Sequence, residues 1–249
     1  MEEKYGIGTK HITNEGYEIE IIEKLEHPMR KIRFENGYEF VTNCSNIKKG
    51  GICNPYHPSV FGVGYYGVGE YKAKIERKNT PEYVMWHSML QRCYSYKYQE
   101  KRPTYKNVTL CKDWHNFQNF AKWYNVNYPK IEGEKFCIDK DLLQLDVENK
   151  IYSPDTCAFI PDYVNSFLAN KLSNNTSGYT GVSWYKIGKK WRSCINLFDK
   201  GKLKHLGYFT TLELASEVYQ KARSIEAEKV KSYLRELNYL PEHIIQLIK

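Results

Sequence analysis

Two carboxylates, Asp139 and Asp141, close the apolar run Phe136-Cys137-Ile138. A second apolar run, Cys157-Ala158-Phe159-Ile160, leads into Pro161 and Asp162, with the amide of Asn165 one helical turn further on. Carboxylate and amide oxygens are hard donors, and an acid and an amide brought together suit a hard divalent cation such as magnesium. The same spacing also fits surface polar residues around a small β-hairpin.

A metal reading needs particular elements. One strand must deliver Asp139 to its end, and a polar turn must follow through Glu148-Asn149-Lys150. A second strand must then run into a helix that starts at Pro161 and carries Asn165. Upstream, Thr80-Pro81-Glu82 is a helix start, with Met85, Trp86, Met89, Leu90 and Cys93 recurring at helical spacing. Asp113 is placed to cap a second helix whose aromatic face is Trp114, Phe117, Phe120, Ala121 and Tyr124. His87 and His115 lie in or beside these helices.

Towards the N-terminus the pattern is β. Tyr17 to Ile22 alternates, and two further strands meet at Asn36-Gly37, a strong hairpin signal because both residues tolerate positive φ. A literal GxGxxG at Gly62, Gly64 and Gly67 lacks the preceding strand and following helix of a dinucleotide site and is rejected. Towards the C-terminus, TGVSWY, KWRSCINLF and KLKHLGYF read as three antiparallel strands, turning at Ile187-Gly188-Lys189 and Asp199-Lys200-Gly201. Thr210 or Thr211 then caps a long helix with Leu214, Ala215, Val218, Tyr219, Ala222 and Ile225 inward, interrupted at Asn238 and Pro241.

Charge and composition narrow the partners. The 249 residues carry a net charge of +8, and between Lys171 and Thr210 eight Lys or Arg stand against one acid, Asp199. A basic sheet face with Trp184, Tyr185 and Trp191 interleaved suits a DNA groove, whereas a merely solvated face is the plainer alternative. The seven Cys are odd in number and include no CxxC pair. Together with the absence of an apolar leader or a membrane-length run, this points to a reducing cytoplasm and no membrane, and it disfavours zinc.

Two stretches resemble known families. Ser177-Gly178-Tyr179-Thr180-Gly181-Val182, Lys190-Trp191, Leu206-Gly207-Tyr208-Phe209 and Glu213 to Tyr219 resemble the plant ethylene-response-factor (AP-two) DNA-binding domain, cousins of which occur at the C-terminal end of phage homing endonucleases. WHSMLQRCY, YKNVTLCKDWHNFQNFAKWY, IDKDLL and YSPDTCAFIPDYVN, from Trp86 to Asn165, resemble phage HNH-type nucleases with a ββα-metal core. The resemblance implies Asp139 as strand-end metal ligand, Asn165 as helix ligand and Asn149 as loop brace. Where that family places a general-base His this chain has Lys140, a poor base at neutral pH. Lys140 is then a phosphate-binding or charge-stabilising group, with His115 or His87 as substitute base.

The expected architecture is α+β: an N-terminal β module and Gly/Tyr-rich linker (1–75), an HNH-like core with flanking helices (76–172), and a three-stranded antiparallel sheet plus helix (173–249). The expected function is a homing-type, magnesium-dependent endonuclease acting on double-stranded DNA in a phage-infected bacterium. Its site residues are Lys140, His115 and Asn149 for catalysis and Asp139, Asn165 and Asp141 for the metal. DNA contacts are assigned to Tyr185, Lys189, Lys190, Trp191, Arg192, Asn196, Lys202 and His205. The alternatives are a non-catalytic DNA-binding regulator or anti-defence factor with a degenerate core, and a virion or assembly protein using the basic face.

Overall fold

The computed structural model describes residues 4–168, 175–198 and 202–249. Contacts gather the chain into two compact units, 1–106 with 110–122, and 107–109 with 123–249. The architecture is mixed α/β with several small sheets. The expected boundary at 172/173 and the turn at Asp199-Lys200-Gly201 lie outside the described residues.

In the first unit β1 (Lys10–Ile12), β2 (Glu18–Lys24), β3 (Met29–Phe34) and β4 (Glu39–Asn43) form an antiparallel meander. Period-two alternation places Ile19, Ile21, Ile32 and Phe34 on one face, where they pack with Ile47 of α1 (Cys44–Lys49) and with Ile52. The hairpin at Asn36-Gly37 forms, with the left-handed residue at Gly37 alone, φ 84°. A short hairpin, β5 (Lys74–Ile75) and β6 (Lys78–Asn79), precedes α2 (Pro81–Tyr94) and α3 (Tyr96–Lys101). Thr80 stands at the α2 N-cap, but its hydroxyl donates to the Lys72 carbonyl instead of capping the helix.

The apolar stripe of α2 is core. Trp86, Met89 and Leu90 are fully buried, and Trp86 Nε1 donates to the Trp114 carbonyl at 2.7 Å. Gly64 of the rejected fingerprint lies against this stripe, where a Cβ would come within 2.4 Å of Leu90 and 2.9 Å of Trp86. Its role is close packing. After β7 (Thr109–Leu110) a 3₁₀ turn spans Lys112–His115, and α4 is Phe117–Asn127. The expected helix cap at Asp113 is therefore three residues early, because Asp113 sits inside that turn and accepts from the Asn119 amide.

In the second unit β8 (Phe136–Asp139) pairs antiparallel with β10 (Ala158–Pro161), with β9 (Ile151–Tyr152) between them in the chain, and α5 (Asp162–Leu168) follows directly. Pro161 ends β10 rather than opening the helix, since its fixed φ serves both conformations and it pairs with Phe136 at the strand end. β11 (Val182–Tyr185), β12 (Lys190–Asn196) and β13 (Leu203–Phe209) make a three-stranded antiparallel sheet. The chain ends in α6 (Leu212–Leu237) and α7 (Glu242–Ile245).

Thr211 caps α6 by accepting from the Leu214 N–H, and Asn238 closes it in the left-handed region. The helix serves two cores. Its first turns place Ala215 and Tyr219 under the sheet residues Val182 and Ile195. Further along, Ala227, Val230 and Leu234 pack with Leu142, Ile160 and Val164 of the hairpin and α5. Leu214 and Ile225, expected inward, are exposed because the buried arc follows 215, 219, 226, 230 and 234. Among the described residues no helix is long and apolar enough to cross a membrane.

Candidate functional site

Asp139 ends β8 opposite Ala158 and is buried, with 8% of its surface exposed. Its Oδ1 accepts two backbone N–H bonds, from Asp141 at 3.0 Å and Leu142 at 2.7 Å. That fixes the turn after the strand and leaves Oδ2 for a further partner. Burial raises the Asp139 carboxyl above its ordinary pKa, the neighbouring Asp141 charge adds to this, and the backbone bonds and Lys140 oppose it. A cation bound at Oδ2 would relieve that cost.

Asp139, Asp141 and Asn165 line one cavity of 410 Å³ in the second unit. Lys150 shares this wall, and Gln220, Arg223 and Lys249 bring α6 and the C-terminal segment to it. Asp141 is less available than Asp139. Both of its oxygens lie 2.9 Å from Lys140 Nζ, and Oδ1 is 2.6 Å from Lys150 Nζ. Burial alone would push the Asp141 carboxyl up, but the two ammonium groups outweigh it and hold the pKa below the usual range.

Carboxylate and amide oxygens are the donor types that a hard divalent cation takes. Asp139 and Asn165 line one cavity, and magnesium is usually bound by one or two carboxylates together with water and substrate phosphate. Among the described residues no group of three His, Cys, Asp or Glu side chains could hold a metal ion.

None of the three expected catalytic residues is among those lining that cavity. Lys140 is buried, held against Asp141 and 5.7 Å from the centre of the Tyr152 ring, and it does not line the cavity. The Lys140 ammonium is thus an ion-pair partner of Asp141. His115 belongs to the first unit, with Nε2 3.4 Å from the Tyr94 hydroxyl and its pKa lowered by burial. His87, also there, packs on Phe61 and Tyr83. Asn149 is exposed.

The brace is Gln144, which sequence reasoning missed. Its buried amide donates to the Lys140 carbonyl at 2.7 Å and the Ile151 carbonyl at 2.9 Å, and accepts from the Ile151 N–H at 3.0 Å. One side chain thereby closes the loop between β8 and β9. Gln144→Ala removes the Gln144 bonds to the Lys140 carbonyl and the Ile151 N–H, while the Ile151 carbonyl keeps the Thr156 hydroxyl, and is expected to cost about 2 kcal/mol, read as a lowered midpoint in urea unfolding.

The sheet separates the expected DNA contacts by face. Register sets Ser183, Arg192 and Tyr208 side by side, with Tyr185 opposite Lys190 and Cys194 opposite His205. These residues form the outer face. The Tyr185 and Tyr208 rings lie 4.8 Å apart, His205 lies 4.5 Å from Tyr208, and Arg192 donates to the Ser183 hydroxyl. Lys189, at φ 47° in the turn, Asn196 at the end of β12, and Lys202 are exposed.

Trp191 is the exception. Alternation turns it away from Lys190 and Arg192, and it packs with Phe209 against the Val182, Ile195, Ala215 and Tyr219 core. Tyr208 takes its place on the outer face, a position readable from the alternation of the third strand once Phe209 is assigned to the core. No protein-family model, no curated protein and no solved structure matches this chain.

Proposed function

We propose that the chain is a DNA endonuclease of homing type that hydrolyses a phosphodiester with one divalent cation, magnesium by preference. In this reading β8, β10 and α5 are an HNH-like ββα core, and β11 to β13 with α6 are a DNA-reading sheet of the ethylene-response-factor kind. The observation that carries it is the single cavity shared by Asp139 and Asn165, with Lys150 and Arg223 on its wall. Acidic and amide oxygens suit the metal, and cations beside them suit a polyanion.

Asp139 and Asn165 would hold the cation, which would supply Lewis-acid polarisation of the phosphodiester. The chain's own residues do the rest. The Asp141 and Leu142 N–H groups hold Asp139 in one orientation, Gln144 holds the loop behind it, and Lys150 offers positive charge at the cavity. The outer sheet face, with Arg192, Lys190, Tyr185 and Tyr208, holds the duplex and selects its register.

Conversion of supercoiled plasmid to nicked circles, followed with magnesium and with EDTA, tests the reading. Nicking that requires magnesium and is lost in Asn165→Ala is the expected outcome. Tight, salt-sensitive DNA binding with no nicking on any plasmid, including one carrying the chain's own coding and flanking DNA, would sink it. That outcome would favour a non-catalytic DNA-binding protein, a reading to which the buried, Asp141-bound Lys140 lends support, because no histidine stands beside Asp139.

A further inference from the structure

We infer that Arg223 of α6 binds a backbone phosphate of DNA inside the cavity of Asp139 and Asn165, so that the helix supporting the sheet also builds the cleavage site. The inference rests on the DNA-endonuclease reading and names the group that would hold the substrate there. Its first support is position: Arg223 lines the same cavity as Asp139, Asn165 and Lys150.

Its second support is the way the side chain is held. Nη1 donates to the Phe167 carbonyl at 3.0 Å, and the guanidinium lies 4.4 Å from the centre of the Phe167 ring. Phe167 belongs to α5, the helix that carries Asn165. A stacked guanidinium with one of five donors committed is pre-organised, and its remaining edge matches the oxygens of a phosphate. The charge around it points the same way. Lys150 is engaged by Asp141, whereas no carboxylate among the described residues pairs with Arg223.

A purely structural role is the competing account, since a basic side chain commonly satisfies a carbonyl in the last turn of a helix. The two accounts separate on salt dependence. A phosphate contact contributes to counterion release, and a helix-end tie does not. Binding of the full chain to a fluorescent mixed-sequence duplex is measured in EDTA over a series of KCl concentrations, beside the plasmid-nicking assay.

Arg223→Gln is expected to weaken binding about tenfold and to reduce the slope of log affinity against log salt by about 0.9. Arg223→Lys is expected to keep the slope. Wild-type affinity and slope in Arg223→Gln would overturn the inference, whether or not the protein nicks DNA. A reduced slope in a protein that nicks nothing would uphold the phosphate site while the endonuclease reading fails. Phenylglyoxal modification of the wild type, mapped by mass spectrometry, covers the case in which the variant does not fold. Arg223 is expected to react in the free protein and to be protected by the duplex, and equal reaction in both would overturn the inference.

Discussion

Asp139→Asn is expected to reduce magnesium-dependent nicking about a thousandfold and, in EDTA, to make the protein more stable by about 1 kcal/mol. The two effects have one cause. Asn keeps an oxygen for the Asp141 and Leu142 N–H groups, so the turn after β8 survives, while the buried negative charge is removed. Because burial raises the folded-state pKa of Asp139, the folded protein binds more protons than the unfolded chain at pH values between the unfolded value and the raised one. Stability of the metal-free wild type therefore falls as pH rises from about 4 through the raised value, and this decline is absent in Asp139→Asn. Thermal melts across pH in EDTA read the sign directly.

Magnesium supplies the complementary test. A ligand that binds only the folded state raises the melting temperature, so magnesium is expected to shift the wild type upward and leave Asp139→Asn unmoved. An Asp139 that only braced a turn would give the same gain in stability on substitution by Asn, since that gain comes from burial, but no loss of nicking and no difference in the response to magnesium. Equal melting shifts in the two proteins would remove Asp139 from any metal site.

The strand–loop–strand–helix order around Asp139 was legible because apolar runs bounded by acids and Pro carry their own punctuation. Phe136 to Ile138 and Cys157 to Ile160 became β8 and β10, within a residue or two at each end. The C-terminal sheet and α6 were equally open, since alternation, turn residues and the Thr211 cap are local properties. What local pattern does not encode is which residues meet from distant parts of the chain. Arg223 reaches the cavity only because α6 carries one buried arc under the sheet and another against α5. Gln144 was invisible for a related reason, since its amide acts on two backbone segments whose approach depends on the loop between them. Lys140 and Asn149 were assigned from outside the local pattern. The family resemblance supplied roles for them, and their surroundings assign Lys140 to Asp141 and leave Asn149 in solvent.

Gly181→Val is expected to destabilise the second unit by about 4 kcal/mol and to abolish DNA binding and nicking together. Gly181 begins the sheet at φ 73°, a conformation that a β-branched residue avoids. Its missing Cβ is also occupied space. A carbon placed there would lie 2.1 Å from Tyr219 Cε2 and 2.6 Å from the Cys194 carbonyl oxygen. The tyrosine ring is fixed in the core formed by Val182, Ile195 and Ala215, and the carbonyl belongs to β12 at the register shift beside Ser193, so neither yields cheaply. Tyr219 lines the candidate cavity as well. Displacing it disturbs the sheet and the Asp139 site at once, which is why binding and nicking are expected to fail as a pair. Far-UV dichroism melts and the duplex-binding assay on Gly181→Ala and Gly181→Val form a graded series, with Ala the milder. A Val variant that melts with the wild type and still binds the duplex would show that the sheet and the cavity do not depend on this contact.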